Sequence, residues 1–258
     1  MRVLDHEWFC ARAEAEIEEL VALVGGVPDI SAPVVTCPEW TITDLTRHTG
    51  LVHRWVTKIV ATRADARIPF PDDGSPWESA DGWAQWLASG GVPLIAALRD
   101  AAPETAVWTW GPGHSAGWWA RRMLHETGVH RCDMAMALGQ VPSVEPVAAA
   151  DGISEFLANL PSSRRAARHL GSLPDGESIH LHATDSGDLG GSEGEWLMRF
   201  ADGGVEWSHG HAKASAAVRG PVDALLLFAY GRVPPSDQRF EVFGDPSVLA
   251  AWQSYTSI

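Results

Sequence analysis

Basic residues are scarce in this chain. Nineteen Lys and Arg stand against 33 Asp and Glu, a formal charge of −14. That balance excludes the broad cationic face that nucleic acid requires, and it means an anionic substrate needs a local arginine. Long apolar runs are missing too, so no stretch is long enough to cross a bilayer. Residues 1–20 are rich in Glu and carry no apolar signal region. The three cysteines, Cys10, Cys37 and Cys132, are odd in number and form no CxxC pair. This excludes a disulfide framework and leads us to expect a reducing cytoplasm. No G-x-S-x-G elbow is present. Asp185-Ser186-Gly187-Asp188 falls short of a calcium loop. The Gly-rich stretch from Gly187 to Gly194 leads into a strand, not a helix, and so lacks the geometry of a phosphate loop. There are no internal repeats and no low-complexity tracts.

What the chain does have is helical periodicity in its first part. At 258 residues and 45% hydrophobic content it has enough apolar material for one large core or two smaller ones. Thirteen Trp suit both core and pocket walls. Helices are expected over His6–Val24, from a weak capping box at Thr41 and Asp44 onward, over Ser79–Arg99, and over Ala116–Leu138 with Gly139 as its stop. Gly90, Gly91 and Pro93 predict a kink or break in the third. Val107–Trp110 reads as a short extended piece. A Pro- and Asp-rich loop is expected over Pro69–Pro76 and a fifth helix over Val147–Leu160. Four main amphipathic helices predict a bundle over residues 1–160. After Pro161 the character changes. Strands are expected at Ser178–Thr184, Trp196–Phe200, Val205–Trp207, Ala216–Arg219 and Phe240–Phe243. Asp202-Gly203-Gly204 marks a hairpin, and helices are expected at Pro221–Tyr230 and Pro246–Tyr255. Residues 161–258 therefore read as a small α+β domain.

The most informative run is Arg121 to Arg131. Glu126 and His130 lie four residues apart in a helical stretch, so both side chains leave one face. His48 falls on the apolar stripe of the second helix, between Leu45 and Val52. Two His and one Glu would hold a divalent metal and leave a coordination position open. An ordinary helix contact is the competing reading of a Glu/His pair at this spacing. The H-E-x-x-H pattern starts at His125 and fails, because Val129 occupies its second histidine position. His125 and His130 are about 140° apart on the helix, so His125 is not expected at the metal, nor His53 beside His48. Arg122 is placed to pair with Glu126 or to face the pocket. Arg131 and Asp133 are either supports of the ligands or surface charges. His180 and His182 share one strand face, and His209 and His211 are candidates for another. They make a possible second metal site, with a polar strand face as the favoured alternative.

These motifs resemble the mycothiol-dependent maleylpyruvate isomerase family. Cys37-Pro38-Glu39-Trp40-Thr41-Ile42-Thr43-Asp44-Leu45, with His48 and His53-Arg54-Trp55, resembles its first signature. Arg121 to Asp133 resembles its second. Gly220 to Leu227, Gly231-Arg232 and Val242-Phe243-Gly244-Asp245 are similar to its C-terminal domain. The resemblance implies a DinB-like four-helix bundle followed by a sterol-carrier-like α+β domain. It also implies a divalent metal, zinc by expectation, held by His48, Glu126 and His130. Arg232, by motif position, and Arg122 are the catalytic candidates. The implied partners are a small-molecule substrate and the low-molecular-weight thiol mycothiol, whose thiolate would occupy the open metal position and add to an electrophile, giving cis–trans isomerisation or S-transfer. Glu39 stands where Gly is frequent in the family, and Gly128 where small Ala-like residues are common. The rival readings are a thiol-independent metal hydrolase and a non-enzymatic protein that encloses an apolar or lipid ligand.

Overall fold

The computed structural model describes residues 4–72, 79–162, 173–185, 187, 189, 194–202 and 204–256. The Pro- and Asp-rich loop expected over 69–76 lies partly outside these residues, and the Gly-rich loop of 187–194 mostly so. The chain forms two compact units that part between Pro142 and Ser143.

In the first unit, α1 (His6–Gly25), α2 (Ile42–Ala61), α3 (Ala80–Asp100) and α4 (Ala116–Ala137) make the expected bundle. α1 and α2 each pack on both α3 and α4. Each helix starts on a side chain that accepts one of the first free backbone N–H groups: Asp5, Thr41, Ser79 and Ser115. Thr41 and Asp44 close a full capping box. Leu20, Val24, Leu45, Trp86, Leu87 and Met134 form part of one apolar cluster between the helices, each such side chain contributing about 1.5–3 kcal/mol by burial. Arg131 on α4 forms a buried ion pair with Glu16 on α1, so it holds the frame and is not a surface charge.

The break expected in the third helix does not occur, and α3 runs through Pro93. The two glycines before it are packing positions. A Cβ at Gly91 would come within 2.6 Å of Ile17, and one at Gly90 within 2.3 Å of the Arg54 guanidinium. Arg54 donates to the carbonyl of Trp86 (2.7 Å) and to Ser89 (2.9 Å), with its guanidinium over the Trp86 ring. Contacts from α1 and α2 thus hold the segment helical where local propensity alone favours a break. The extended piece expected at Val107–Trp110 is reduced to a single bridge, Ala106 to Ser115.

The second unit contains α5 (Pro146–Asn159), a short 3₁₀ turn (Leu160–Ser162), β1 (Ser178–Ala183), β2 (Glu195–Ala201), β3 (Gly204–His209), β4 (Ala216–Gly220), α6 (Val222–Ala229), β5 (Glu241–Gly244) and α7 (Pro246–Thr256). The sheet order is β3-β2-β1-β4-β5, antiparallel except for the β1–β4 pair. The units part earlier than the expected 160/161 division because α5 packs on α6 and goes with the sheet. Asp202 takes a positive φ of 52°, as a tight hairpin requires. β1 alternates faces: Ile179, Leu181 and Ala183 point to one side, and His180 and His182 to the other, with His180 buried and His182 partly exposed.

Candidate metal centre

His48 comes from α2, and Glu126 and His130 come from α4. Their ligand atoms lie within 4.8 Å of one another. His48 Nε2 is 3.2 Å and His130 Nε2 is 3.5 Å from the same oxygen, Glu126 Oε1. Ligand bonds of about 2.0–2.1 Å at a tetrahedral ion subtend edges of roughly 3.3 Å, so the two spacings match the edges of such a polyhedron. The donor set of two imidazoles and one carboxylate suits zinc or a similar borderline cation. Side-chain exposure falls from 34% at His48 through 22% at Glu126 to 9% at His130. The cluster therefore opens to solvent on the His48 side and is closed behind His130.

Two of the three are held by a further residue. Arg122 lies one turn before Glu126 and donates to its other oxygen, Oε2, at 3.1 Å. His130 Nδ1 bonds Asp133 Oδ2 at 3.0 Å. Asp133 in turn accepts from Thr36 Oγ1 (2.6 Å) and from the Cys37 thiol (3.5 Å). A carboxylate on the far nitrogen fixes the tautomer and ring orientation of a metal-binding histidine. The Trp40 ring lies 4.9 Å from that of His48 and 6.1 Å from that of His130. The sequence named Asp133 but left its role open, and nothing in it marked Thr36 as a partner. That bond spans 97 positions and has no local signal.

The electrostatics favour a positive charge at this point. Burial by itself would raise Glu126, but its bonds to His130 and His48 and the nearby Arg122 guanidinium hold it well below the usual carboxylate range. Burial by itself would lower His130, yet its bonds to Asp133 and Glu126 carry it up to about 9. A place that binds a proton so strongly also suits a cation. His53 shows the opposite behaviour: fully buried, it is pushed down to about 3 and bonds Thr127 at 3.0 Å, outside the cluster. His125 is buried and is likewise not among the three converging residues.

Models for both parts of one family match the chain. "Mycothiol maleylpyruvate isomerase N-terminal domain" covers residues 10–135 and "MDMPI C-terminal domain" covers residues 148–251. This chain belongs to the mycothiol-dependent maleylpyruvate isomerase family. Its fold is similar to the crystal structure of the mycothiol-dependent maleylpyruvate isomerase, with a TM-score of 0.63, 14% identity and 93% of each chain covered. A histidine-to-alanine mutant of such an isomerase is similar at a TM-score of 0.59 and 14% identity, over 89% of this chain and 90% of that one. No curated protein matches the sequence. No helix among the described residues is long and apolar enough to cross a membrane.

Two departures from the family pattern have physical explanations here. Glu39 adopts a φ of 71°, a left-handed conformation that costs a side-chain-bearing residue about 1–2 kcal/mol and that glycine adopts freely. A Cβ at Gly128 would meet Glu16 at 3.5 Å, an ordinary contact, so alanine fits there equally well. Arg232 follows α6 in the second unit. Its backbone N–H bonds the Leu227 carbonyl, after Gly231 turns the chain at a φ of 71°. The side chain is nine-tenths buried and donates to the Tyr230 carbonyl at 3.1 Å.

An aromatic wall continues from the cluster along the same two helices. Trp55 and Trp119 each lie seven residues from a ligand, His48 and Glu126, on the same faces and about 10 Å further along. Their rings are 5.8 Å apart, and Trp108 and Trp118 extend the group.

Proposed function

We propose that this protein is a metal- and mycothiol-dependent enzyme that isomerises a cis double bond conjugated to a carbonyl, in a substrate of the maleylpyruvate type. The observation that carries this reading is the pair of imidazole nitrogens 3.2 and 3.5 Å from one Glu126 oxygen, open to solvent on one side. Bound by His48, Glu126 and His130, a divalent cation such as zinc supplies the positive charge that lowers the pKa of an incoming thiol. Asp133 keeps the Nε2 of His130 turned toward the site, and Arg122 keeps Glu126 ionised and oriented. Trp40 flanks the two imidazoles. A thiolate in this position would add to the double bond, sending its electron pair into the conjugated carbonyl; after rotation about the resulting single bond, return of that pair would expel the same thiolate and leave the trans isomer. By motif position, the family resemblance gives Arg232 the task of holding a substrate carboxylate, which suits the planar guanidinium fork. Where the thiol adds and stays, the same arrangement gives S-transfer.

The test combines the purified protein with zinc, mycothiol and maleylpyruvate, and then with a panel of electrophiles in place of maleylpyruvate. Isomerisation that depends on the thiol and falls at least about a hundredfold in His48→Ala is the expected result. Absence of thiol-dependent turnover on every substrate, or activity that needs no thiol, overturns the reading.

A further inference from the structure

The second unit holds another cluster of ligating side chains, gathered around Glu195. β1 supplies His180 and His182, two residues apart on one face of the sheet. Glu195 opens β2 and pairs directly with His182 in the antiparallel register. Gly210 takes a φ of 115°, a conformation in which glycine is unstrained, and turns the chain after β3. This brings His211 back to the same carboxylate. Glu195 Oε2 is 3.1 Å from His211 Nδ1 and 3.3 Å from His180 Nε2, and Oε1 is 3.0 Å from His182 Nδ1. The His180 and His211 rings are 5.1 Å apart, and the His182 ring is 6.1 and 6.5 Å from them. His209, expected to share a face with His211, stands instead between Trp196 and Trp207.

One carboxylate serves three imidazoles here. Among the described residues, His180 Nε2 is buried and makes no aligned hydrogen bond, even to Glu195 at 3.3 Å. It points at the same oxygen that His211 approaches. A buried polar atom without a partner calls for a ligand.

We infer that His180 Nε2, His211 Nδ1 and Glu195 Oε2 form a second site for a divalent transition-metal ion of the zinc type, with His182 holding the other Glu195 oxygen. The three ligand atoms lie within 4.8 Å of one another, and the two N···O distances match the roughly 3.3 Å edge of a tetrahedral zinc polyhedron. His182 then plays toward Glu195 the part that outer partners play toward metal-binding carboxylates. The side chain of His211 is 77% exposed and that of His180 is 5% exposed. The site is therefore anchored in the sheet and open at its rim, where an ion enters and a fourth ligand binds.

The experiment is equilibrium dialysis of the chelator-stripped full chain against zinc, with metal counted per chain. The variants are His211→Asn, Glu195→Gln, His48→Ala and the His48→Ala/His211→Asn pair. His211 is exposed and Glu195→Gln is isosteric, so neither change threatens the fold, and circular dichroism checks this. Loss of one zinc per chain in His211→Asn and again in Glu195→Gln is the expected result, with one ion retained by His48→Ala and none by the pair. If His211→Asn and Glu195→Gln hold as much zinc as the unaltered chain, or if His48→Ala holds none, the second site is overturned. Because the readout is the change on His211→Asn, the outcome does not depend on occupancy of the helical cluster.

Discussion

The two clusters offer the same ligand set, two imidazoles and one carboxylate, but differ in what surrounds it. In the bundle, one imidazole, His130, lies between two carboxylates, Glu126 and Asp133. In the sheet, one carboxylate, Glu195, lies among three imidazoles. The surroundings move the two histidines in opposite directions: bonds to Asp133 and Glu126 overcome burial and raise His130 to about 9, whereas burial with like neighbours lowers His180. A cation entering the bundle must displace a proton, whereas His180 yields its proton more readily than an ordinary imidazole. The clusters also differ in construction. Two bundle ligands are preset by one turn of α4, whereas the sheet ligands meet only through strand register and the turn at Gly210.

The largest expected effect tests whether the bundle frame is what keeps its ligands converged. Arg131→Ala leaves Glu16 buried without its partner and should cost about 3–5 kcal/mol of unfolding free energy, measured by denaturant titration. A loss below about 1 kcal/mol would mean that the α1–α4 ion pair is not what fixes that side of the bundle. A smaller effect is expected from Asp133→Asn, which weakens the outer hold on His130. Zinc affinity should fall about 10- to 100-fold, read by competition with a chelator, while folding is largely retained. An unchanged affinity would separate Asp133 from the site.

pH distinguishes the two clusters. His130 is raised in the folded protein, so below about 9 its Nε2 carries a proton that a metal must expel. Affinity at the bundle should rise about tenfold per pH unit from 6.5 upward and flatten as pH approaches 9. In the metal-free protein the sign is reversed: the stabilisation from His130 is complete below its unfolded value near 6.5 and is lost as pH climbs through about 9. Measured on His211→Asn, where only the bundle cluster is intact, a flat profile between pH 6.5 and 8.5 would contradict the proton's placement.

The helices show how much local chemistry decides. Thr41 with Asp44, and the apolar spacing of α1, α2 and α4, are short-range signals, and the elements formed where those signals lie. α3 is the exception: Gly90, Gly91 and Pro93 signal a break, but Ile17 and Arg54, from other helices, reward continuity. α5 is similar, since its amphipathic pattern cannot say which partner it will choose, and α6 took it. Glu126 and His130 could be read as a pair because a helix repeats every 3.6 residues.

The sequence by itself therefore determined most of the helices and strands, the Glu126–His130 spacing on one helical face, and the family. Tertiary structure alone decided that Thr36 and Cys37 would brace Asp133, that Arg131 would turn to Glu16, and that His211 rather than His209 would join His180 at Glu195. The physical reason is range. Periodicity, caps and turns act across a few residues of chain, whereas these contacts join groups up to 115 positions apart and exist only after packing has fixed which helix faces which and strand pairing has fixed the register.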